Sequence, residues 1–290
     1  MAAVKQAERR GTRQMNGQHE EQRSEQQKEN KEQAGGLPRE IAVYCLSGIL
    51  TYPNFMQELG ESLAQRLRVP GMRAAAQQLY PYGDRSRGGL RQLHETRGDL
   101  LLPAGRPERS LGGSRAAEEL LAAGDAPGTL LLLAGHSAGG IAAVQAASIL
   151  MCRTGRPPAS LRVVMIGAPK CPVPPELQDY TLYIRAVNQG GRAPDPVTRL
   201  GSWGGWSRGR GGLPYWQAEK YAPSVRMSLA LAGGHPDYFR SSSAYRDEAG
   251  MSNLDKVLNA IVGWLDLPTW MEGQSEDDDA NKGHRNLGSL

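Results

Sequence analysis

The sequence predicts an α/β protein with a mostly parallel, doubly wound sheet. Apolar runs of strand length recur along the chain, and segments with helical periodicity separate several of them. Strands that alternate with helices in this way are typical of parallel sheets covered on both faces. No internal repeat is visible, which favours one sheet over a repeat array.

The first predicted strand covers residues 41–46. Residues 72–80 suit a strand but also a helix, because the segment is rich in Ala and Gln. The other predicted strands are 129–134, 161–166, 180–187 and 225–231. Predicted helices cover 55–67, 90–94, 116–123, 141–151 and 254–265, and Ser252 or Asn253 can cap the last of these.

Composition divides the chain into a central domain and two charged ends. Only 39% of the residues are hydrophobic, and residues 1–36 and 271–290 are especially polar. Such segments cannot bury enough apolar surface to offset the entropy lost on ordering. We therefore expect disordered ends and a single folded domain over residues 37–270.

Charge and cysteine usage exclude several classes of protein. The net charge of +4 is modest and its basic residues are scattered, so no nucleic-acid partner is expected. No apolar run is long enough for a membrane span, and the N-terminus lacks the apolar core of a signal peptide. The three cysteines show no metal-ligand spacing with the five histidines. We expect a cytoplasmic protein without metal or cofactor; nothing in the sequence specifies its oligomeric state.

The motif around which the chain is organised is Gly-His-Ser-Ala-Gly at residues 135–139. An apolar strand precedes it and a helix rich in small residues follows it. Strand, Gly-x-Ser-x-Gly and helix together are typical of a nucleophile elbow, where a sharp turn exposes the serine hydroxyl. This context predicts that Ser137 is a nucleophile.

The Gly-x-Ser-x-Gly spacing alone is weak evidence for a nucleophilic serine, because the chain contains a second copy at residues 205–209. That copy, Gly-Trp-Ser-Arg-Gly, lies in a segment rich in Gly and Arg with no predicted strand before it and no predicted helix after it. We expect it to be a loop. The wider segment, residues 201–212, could form a lid or line an acyl pocket, but an ordinary flexible loop is the favoured interpretation.

A serine nucleophile needs a base within hydrogen-bond reach. Only His235 and His284 follow Ser137, and His284 lies in the C-terminal end that is expected to be disordered. His235 comes directly after a predicted strand, and two glycines before it let the chain bend. His235 is therefore the predicted base, and His136 is given a structural role or none.

The base in turn needs an orienting carboxylate, which in elbow-type hydrolases lies between the serine and the histidine. Asp195 follows the second strand after the elbow and has the expected position. Asp179 precedes that strand, and Asp237 follows His235. Asp195 is the predicted acid, although an Asp before Pro is also common in ordinary turns.

An oxyanion hole requires two backbone N–H groups. The residue after the nucleophile, Ala138, supplies one of them. The turn after the first strand should supply the other, and Ile49 is the predicted donor there. Gly48 and Leu50 remain alternatives, because the register of this turn is open by one residue.

Several motifs together resemble those of α/β-hydrolase lipases, with most similarity to class 3 (fungal-type) lipases. They are Gly-His-Ser-Ala-Gly-Gly at residues 135–140, Ile-Gly-Ala-Pro-Lys at 166–170, Asp-Pro-Val at 195–197, and His235 shortly before Tyr238. The resemblance covers about residues 40–265. The turn after the first strand departs from it, because Ser47-Gly48 lacks the Arg-Gly or His-Gly lead of these enzymes.

The resemblance implies an α/β-hydrolase fold and hydrolysis of a carboxylic ester through an acyl-enzyme. Ser137 would be the nucleophile, Asp195 the acid and His235 the base. The substrate would be a small-molecule or lipid ester with an apolar acyl group, and transient contact with a lipid surface is possible. An acyl-thioesterase is one alternative function. Another is a non-catalytic protein of the same fold whose charged ends dock a partner.

Overall fold

A computed structural model describes residues 40–265, except residues 125, 127, 189, 190 and 210. The described residues belong to one compact unit, Pro38–Leu267. The predicted disorder of residues 1–36 and 271–290, and the outer limits of the predicted domain, lie outside the described residues.

The described strands form a six-stranded sheet and a separate two-stranded hairpin. In chain order they are β1 (Glu40–Leu46), β2 (Arg73–Leu79), β3 (Leu130–His136), β4 (Leu161–Ile166), β5 (Thr181–Val187), β6 (Gly205–Arg208), β7 (Pro214–Gln217) and β8 (Val225–Ala230). The large sheet has the order β2-β1-β3-β4-β5-β8. All of its neighbouring strands pair in parallel. The prediction of a parallel sheet is thus confirmed, and residues 72–80 contain a strand.

Helices cover both faces of this sheet. They are α1 (Gln57–Leu67), α2 (Gly89–Leu100), α3 (Leu111–Ala123), α4 (Ala138–Thr154) and α5 (Asn253–Leu265). Gly60 of α1 lies against Cys45, whereas the neighbouring strand residue Tyr44 packs into the core with α4. Successive strand residues point to opposite faces, so α1 and α4 lie on opposite sides of the sheet. The sheet is therefore doubly wound.

Three helices differ from their predicted bounds by three residues or more. The helices predicted at residues 90–94 and 116–123 are longer, and α4 continues to Thr154. The earlier start of α3 has a local cause, because Ser110 Oγ accepts a hydrogen bond of 2.8 Å from the N–H of Gly113. At α5, Ser252 Oγ accepts from the N–H of Asp255 at 3.1 Å, so Ser252 acts as the predicted cap.

The prediction of a loop at residues 205–209 is wrong. Residues 205–208 form β6, which pairs antiparallel with β7 and places Trp206 opposite Trp216. The two indole rings meet edge to face, with centroids 5.6 Å apart. Cross-strand aromatic contact of this kind stabilises a hairpin. In contrast, Trp203 is buried, and its ring meets that of Tyr183 edge to face.

The strand order locates a crevice at one edge of the sheet. Chain progression runs outward from β1 to β2 on one side and from β3 through β4 and β5 on the other. Ligands of open parallel sheets bind beyond the carboxyl ends of the strands at such a reversal. This point lies between β1 and β3, and β3 ends at His136, directly before Ser137. None of the described helices combines the length and apolar character needed to cross a bilayer.

Candidate active site

Ser137 occupies a sharp turn between β3 and α4. Its backbone has φ 58° and ψ −129°, a conformation that non-glycine residues rarely adopt. A hydrogen bond of 3.0 Å from the Ser137 N–H to the carbonyl of Ile166 ties the turn to the end of β4. Backbone strain of this kind persists only where surrounding structure holds it, and it is common at functional sites.

The glycines of the motif permit close contact between backbone segments. A Cβ at Gly135 would overlap the backbone of Gly139, and a Cβ at Gly139 would overlap the carbonyl of Leu46. Gly48 lies so close to the serine that an added Cβ would be 3.2 Å from Ser137 Oγ. The ends of β1 and β3 therefore meet at Ser137 only because these positions lack side chains.

Ser137 is also accessible in a region that is otherwise closed. From Thr129 to Leu150 every residue is buried except Ser137, which is partly exposed. The preceding strand is buried throughout because both of its faces are covered by helices. The turn thus presents one hydroxyl group to solvent from the middle of the core.

The structure brings Asp195 and His235 together. His235 Nδ1 donates a hydrogen bond of 2.8 Å to Asp195 Oδ2, across 40 residues of sequence. The carboxylate is fully buried, whereas a quarter of the His235 side chain is exposed. This bond fixes the proton on Nδ1 and leaves the lone pair on Nε2, the arrangement that a general base requires.

Asp195 receives two further hydrogen bonds. The N–H of Val197 donates to Oδ1 at 2.9 Å, and the hydroxyl of Tyr238 donates to Oδ2 at 3.0 Å. Burial raises the pKa of Asp195, but the hydrogen bonds from His235, Val197 and Tyr238 outweigh it, so the pKa lies below its usual value. The carboxylate is therefore ionised at neutral pH.

His136 contributes to the position of His235. Its Nε2 lies 3.0 Å from the backbone carbonyl of His235, and since a carbonyl only accepts, His136 is the donor. The two imidazole rings stack with centroids 4.7 Å apart. Burial, and then the nearby His235, lowers the pKa of His136 to about 3, so the ring is neutral.

The loop that carries His235 is held from α5. Asn253 is fully buried, and its side chain accepts from the N–H of Ala232 at 3.0 Å and donates to the carbonyl of Asp237 at 2.8 Å. The Asp237 carboxylate in turn accepts from the N–H of Gly234 at 2.9 Å. These bonds enclose His235 on both sides, so Asp237 supports the loop, whereas Asp195 contacts the imidazole.

The turn after β1 lies beside Ser137, as the sequence predicts for an oxyanion donor. Of the three backbone N–H groups considered as oxyanion donors, that of Leu50 already donates a hydrogen bond of 2.8 Å to Gln92 Oε1. Thr51 Oγ1 donates to the carbonyl of Gly48 at 3.0 Å and further fixes the turn. Within the described part of the chain, the N–H groups of Gly48 and Ile49 make no backbone hydrogen bond.

Gln92 holds this turn from the interior of the protein. It lies on α2 and is fully buried. Besides accepting from Leu50, its Nε2 donates to the carbonyls of Asp84 and Arg87 at 2.6 and 2.9 Å. One side chain thus joins the turn after β1, the candidate oxyanion turn, to the loop before α2.

Ser137 and His235 are not joined by a hydrogen bond. Among residues 40–265 as far as they are described, Ser137 Oγ makes no hydrogen bond to His235 or to any other side chain. Such bonds are often long in enzymes without substrate and shorten when substrate binds. The structure therefore brings Asp195 and His235 together and leaves Ser137 partly exposed, without a hydrogen bond between Ser137 and His235.

Other candidates from the sequence lie elsewhere. The exposed side chain of Asp179 accepts a hydrogen bond from Ser224, and Ser207 is on the hairpin, where it contacts Gln217 at 3.2 Å. Within the described ranges no cluster of three or more His, Cys, Asp or Glu side chains could hold a metal ion.

Three supporting residues, Tyr238, Gln92 and His136, are given no positive role by the sequence. Tyr238 belongs only to a motif of the resemblance, and each of the three makes a contact with a residue 42 to 99 positions away. His136 lies within the motif itself, which is the one local signal that could have identified it.

The chain matches no protein-family model, and no curated protein matches it significantly.

Proposed function

We propose that this protein is a serine hydrolase with an α/β-hydrolase fold that cleaves carboxylic esters of apolar acyl groups. The observation that carries the proposal is the strained, partly exposed Ser137 at the strand–helix turn, at the point where the strand order reverses. The hydrogen-bonded pair of His235 and Asp195 supports the assignment of a base and an acid.

In the proposed reaction, Ser137 Oγ attacks the ester carbonyl carbon while His235 Nε2 accepts the hydroxyl proton. The carbonyl electron pair moves to oxygen, and the N–H groups of Ala138 and Ile49 stabilise the oxyanion. Ala138 is the first residue of α4, where amides are unpaired within the helix. Collapse of this intermediate breaks the bond to the alcohol oxygen, which takes the proton from His235.

The acyl-enzyme is then hydrolysed by the same groups. Water attacks the Ser137 ester carbonyl and gives a proton to His235 Nε2, and the second oxyanion lies in the same hole. Its collapse releases the carboxylic acid and returns the proton to Ser137 Oγ. Asp195 stays ionised throughout and stabilises the imidazolium that forms twice in each cycle.

Apolar side chains beside the site favour an apolar acyl group. Phe55 is half-buried, and its ring centroid lies 5.2 Å from that of His136 and 5.5 Å from that of Phe239. Ile49, on the oxyanion turn, is also half-buried. An acyl chain next to these side chains would be removed from water, which contributes about 25 cal/mol per Å² of buried apolar surface.

Labelling with a fluorophosphonate probe tests the nucleophile. The wild-type protein should be labelled, Ser137→Ala should not, and Ser207→Ala should be labelled like the wild type. The Ser207 variant is a matched control because it removes the serine of the second Gly-x-Ser-x-Gly sequence. Equal labelling of the wild type and Ser137→Ala would refute the assignment of the nucleophile.

A non-catalytic protein of the same fold is the second candidate function. The observation that favours it is the missing hydrogen bond between Ser137 and His235. The same experiment separates the two functions: a folded wild-type protein that the probe does not label would support the non-catalytic candidate.

A further inference from the structure

Helix α2 has four polar side chains inside and two of its three leucines, Leu90 and Leu93, outside. The third, Leu100, is half-buried and packs against the core. Gln92, Glu95, Thr96 and Asp99 are buried on this helix. Leu90 is 86% exposed and Leu93 is 55% exposed. Leu101, directly after the helix, is 69% exposed. A surface helix normally has the reverse arrangement, with the apolar stripe against the core.

Polar contacts explain how the helix is held in this orientation. The Glu95 carboxylate contacts Arg87 at 2.7 Å and Arg115 at 3.0 Å. The Asp99 carboxylate accepts hydrogen bonds from Tyr82 at 2.9 Å and from Ser110 at 2.7 Å. Since these side chains anchor the inner side of α2, rotation of its leucines into the core would break several buried polar contacts.

The exposed leucines continue onto the oxyanion turn. Leu50 is 54% exposed, and its side chain packs over Gly89 at the start of α2. Residues 90, 93 and 101 lie on one side of the helix, where the exposed Arg97 stands between Leu93 and Leu101. We call Leu50, Leu90, Leu93 and Leu101 the leucine face. Isolated exposed leucines are common, but several exposed leucines on one side of a helix are typical of an interaction surface.

Exposed arginines occur in the same segment as the leucine face. Arg85, Arg91, Arg97 and Arg106 are exposed in the segment that includes α2. The acidic side chains of residues 85–106, Glu95 and Asp99, are both buried. Tyr52, beside Leu50 in sequence, is 60% exposed and has the Arg85 guanidinium 4.3 Å above its ring. Leucine, tyrosine and arginine side chains together suit the boundary between lipid headgroups and acyl chains.

We propose that the leucine face docks on an anionic phospholipid surface. The leucines would enter the outer acyl region, and the surrounding arginines would contact the phosphate and carboxylate groups of the lipids. A protein partner would need an acidic rim around an apolar groove. An anionic bilayer has a negatively charged surface and an apolar interior over its whole area. The charge of the surface therefore favours lipid.

Docking there would bring the candidate active site to the membrane. Leu50 belongs to the turn that contains Gly48, and Gly48 lies against Ser137. That the bound lipid also supplies the ester substrate rests on the proposed function; the docking itself does not. The two ideas are separated by measuring binding with the inactive variant Ser137→Ala.

Vesicle flotation of the full chain tests the docking. The Ser137→Ala protein should bind vesicles of phosphatidylcholine with about 30% phosphatidylserine, and bind pure phosphatidylcholine much more weakly. Added salt should weaken binding, because it screens the arginines. In the same background, Leu90→Gln with Leu93→Gln should reduce the partition coefficient about tenfold or more, since two leucines no longer insert.

Matched controls give the experiment its specificity. Leu121→Gln removes a leucine that is 40% exposed on α3, and Arg153→Gln removes an exposed arginine after the buried part of α4. Both should bind vesicles like the parent protein, whereas Arg91→Gln with Arg97→Gln should bind anionic vesicles more weakly. Equal binding by the double leucine variant and its parent would overturn the proposal.

Other modes of docking would give different experimental results. A dimer in light scattering that the double leucine variant dissociates, without vesicle binding, would assign the face to a second copy of the chain. Binding that is lost with Leu213→Gln on the hairpin, but kept by the double leucine variant, would assign docking to the hairpin. Either result contradicts the proposal. Vesicle binding without hydrolysis of any ester by the wild type would leave docking in place and refute the proposed function.

Discussion

His136 donates a hydrogen bond of 3.0 Å to the backbone carbonyl of His235, and the two rings stack 4.7 Å apart. The contact joins residues separated by 99 positions. It fixes the loop of His235 against the end of β3, directly before Ser137. The histidine of the Gly-His-Ser-Ala-Gly motif therefore positions the base in the proposed triad.

The burial of neutral His136 predicts a dependence of stability on pH. Its pKa is about 3 in the folded protein, compared with 6.5 ordinarily. Between these values the unfolded chain binds a proton that the folded protein does not, so stability falls as pH decreases. From pH 6.5 to pH 4.5, His136 should account for a loss of about 2 kcal/mol in the free energy of unfolding.

Urea unfolding followed by tryptophan fluorescence checks this value. His136→Phe keeps an aromatic ring but has no titrating group, so it should lose about 2 kcal/mol less than the wild type between the two pH values. His94→Phe is the control, because His94 is exposed on α2. The same pH dependence in wild type and His136→Phe would contradict a buried neutral His136.

Asp195→Asn tests the role of the carboxylate. The amide can accept from His235 but cannot stabilise an imidazolium, and it can favour the other imidazole tautomer. We expect kcat for a nitrophenyl ester to fall about a thousandfold or more. Asp179→Asn changes the alternative acid at an exposed position and should leave kcat unchanged. Near wild-type kcat for Asp195→Asn would exclude Asp195 as the acid.

Gln92→Met tests whether α2 positions the oxyanion turn. Methionine fills a similar volume but makes none of the three hydrogen bonds, so the Leu50 amide loses its acceptor. We expect kcat to fall about tenfold with little change in KM, because a misplaced donor affects the transition state most. Steady-state kinetics measures both constants.

Thr96→Val is the matched control for Gln92→Met. Thr96 is buried on the same helix, and its hydroxyl is without a hydrogen-bond partner among the described residues. Its replacement should therefore leave kcat unchanged. If Gln92→Met lowers only the melting temperature, Gln92 stabilises the fold and does not position the turn.

Much of the fold can be predicted from local patterns. The apolar run before Ser137 and the small residues after it identify β3 and α4, because strand and helix periodicity are properties of short windows. The hairpin of β6 and β7 was missed for the converse reason. Its strands are short and exposed, and their stability comes from pairing with each other, which a single window does not contain.

Helix α2 shows a second limit of local patterns. Its helical character is visible in the sequence, but its orientation depends on partners outside the helix, such as Arg115 on α3 and Tyr82 before it. These contacts satisfy the polar side chains internally and leave Leu90 and Leu93 outside. Hydrophobicity alone would place Leu90 and Leu93 in the core.

The sequence by itself determined most of the strands of the large sheet and the helices between them, the turn that carries Ser137, and the choice of Asp195 and His235 as candidates. Tertiary structure decided that Asp195 and His235 meet, that Gln92 accepts a hydrogen bond from the Leu50 amide, and that His136 supports His235. Local propensities act over a few residues and are encoded in neighbouring positions. Hydrogen bonds across 40 to 99 residues depend on how the sheet brings strand ends together, which only the folded chain specifies.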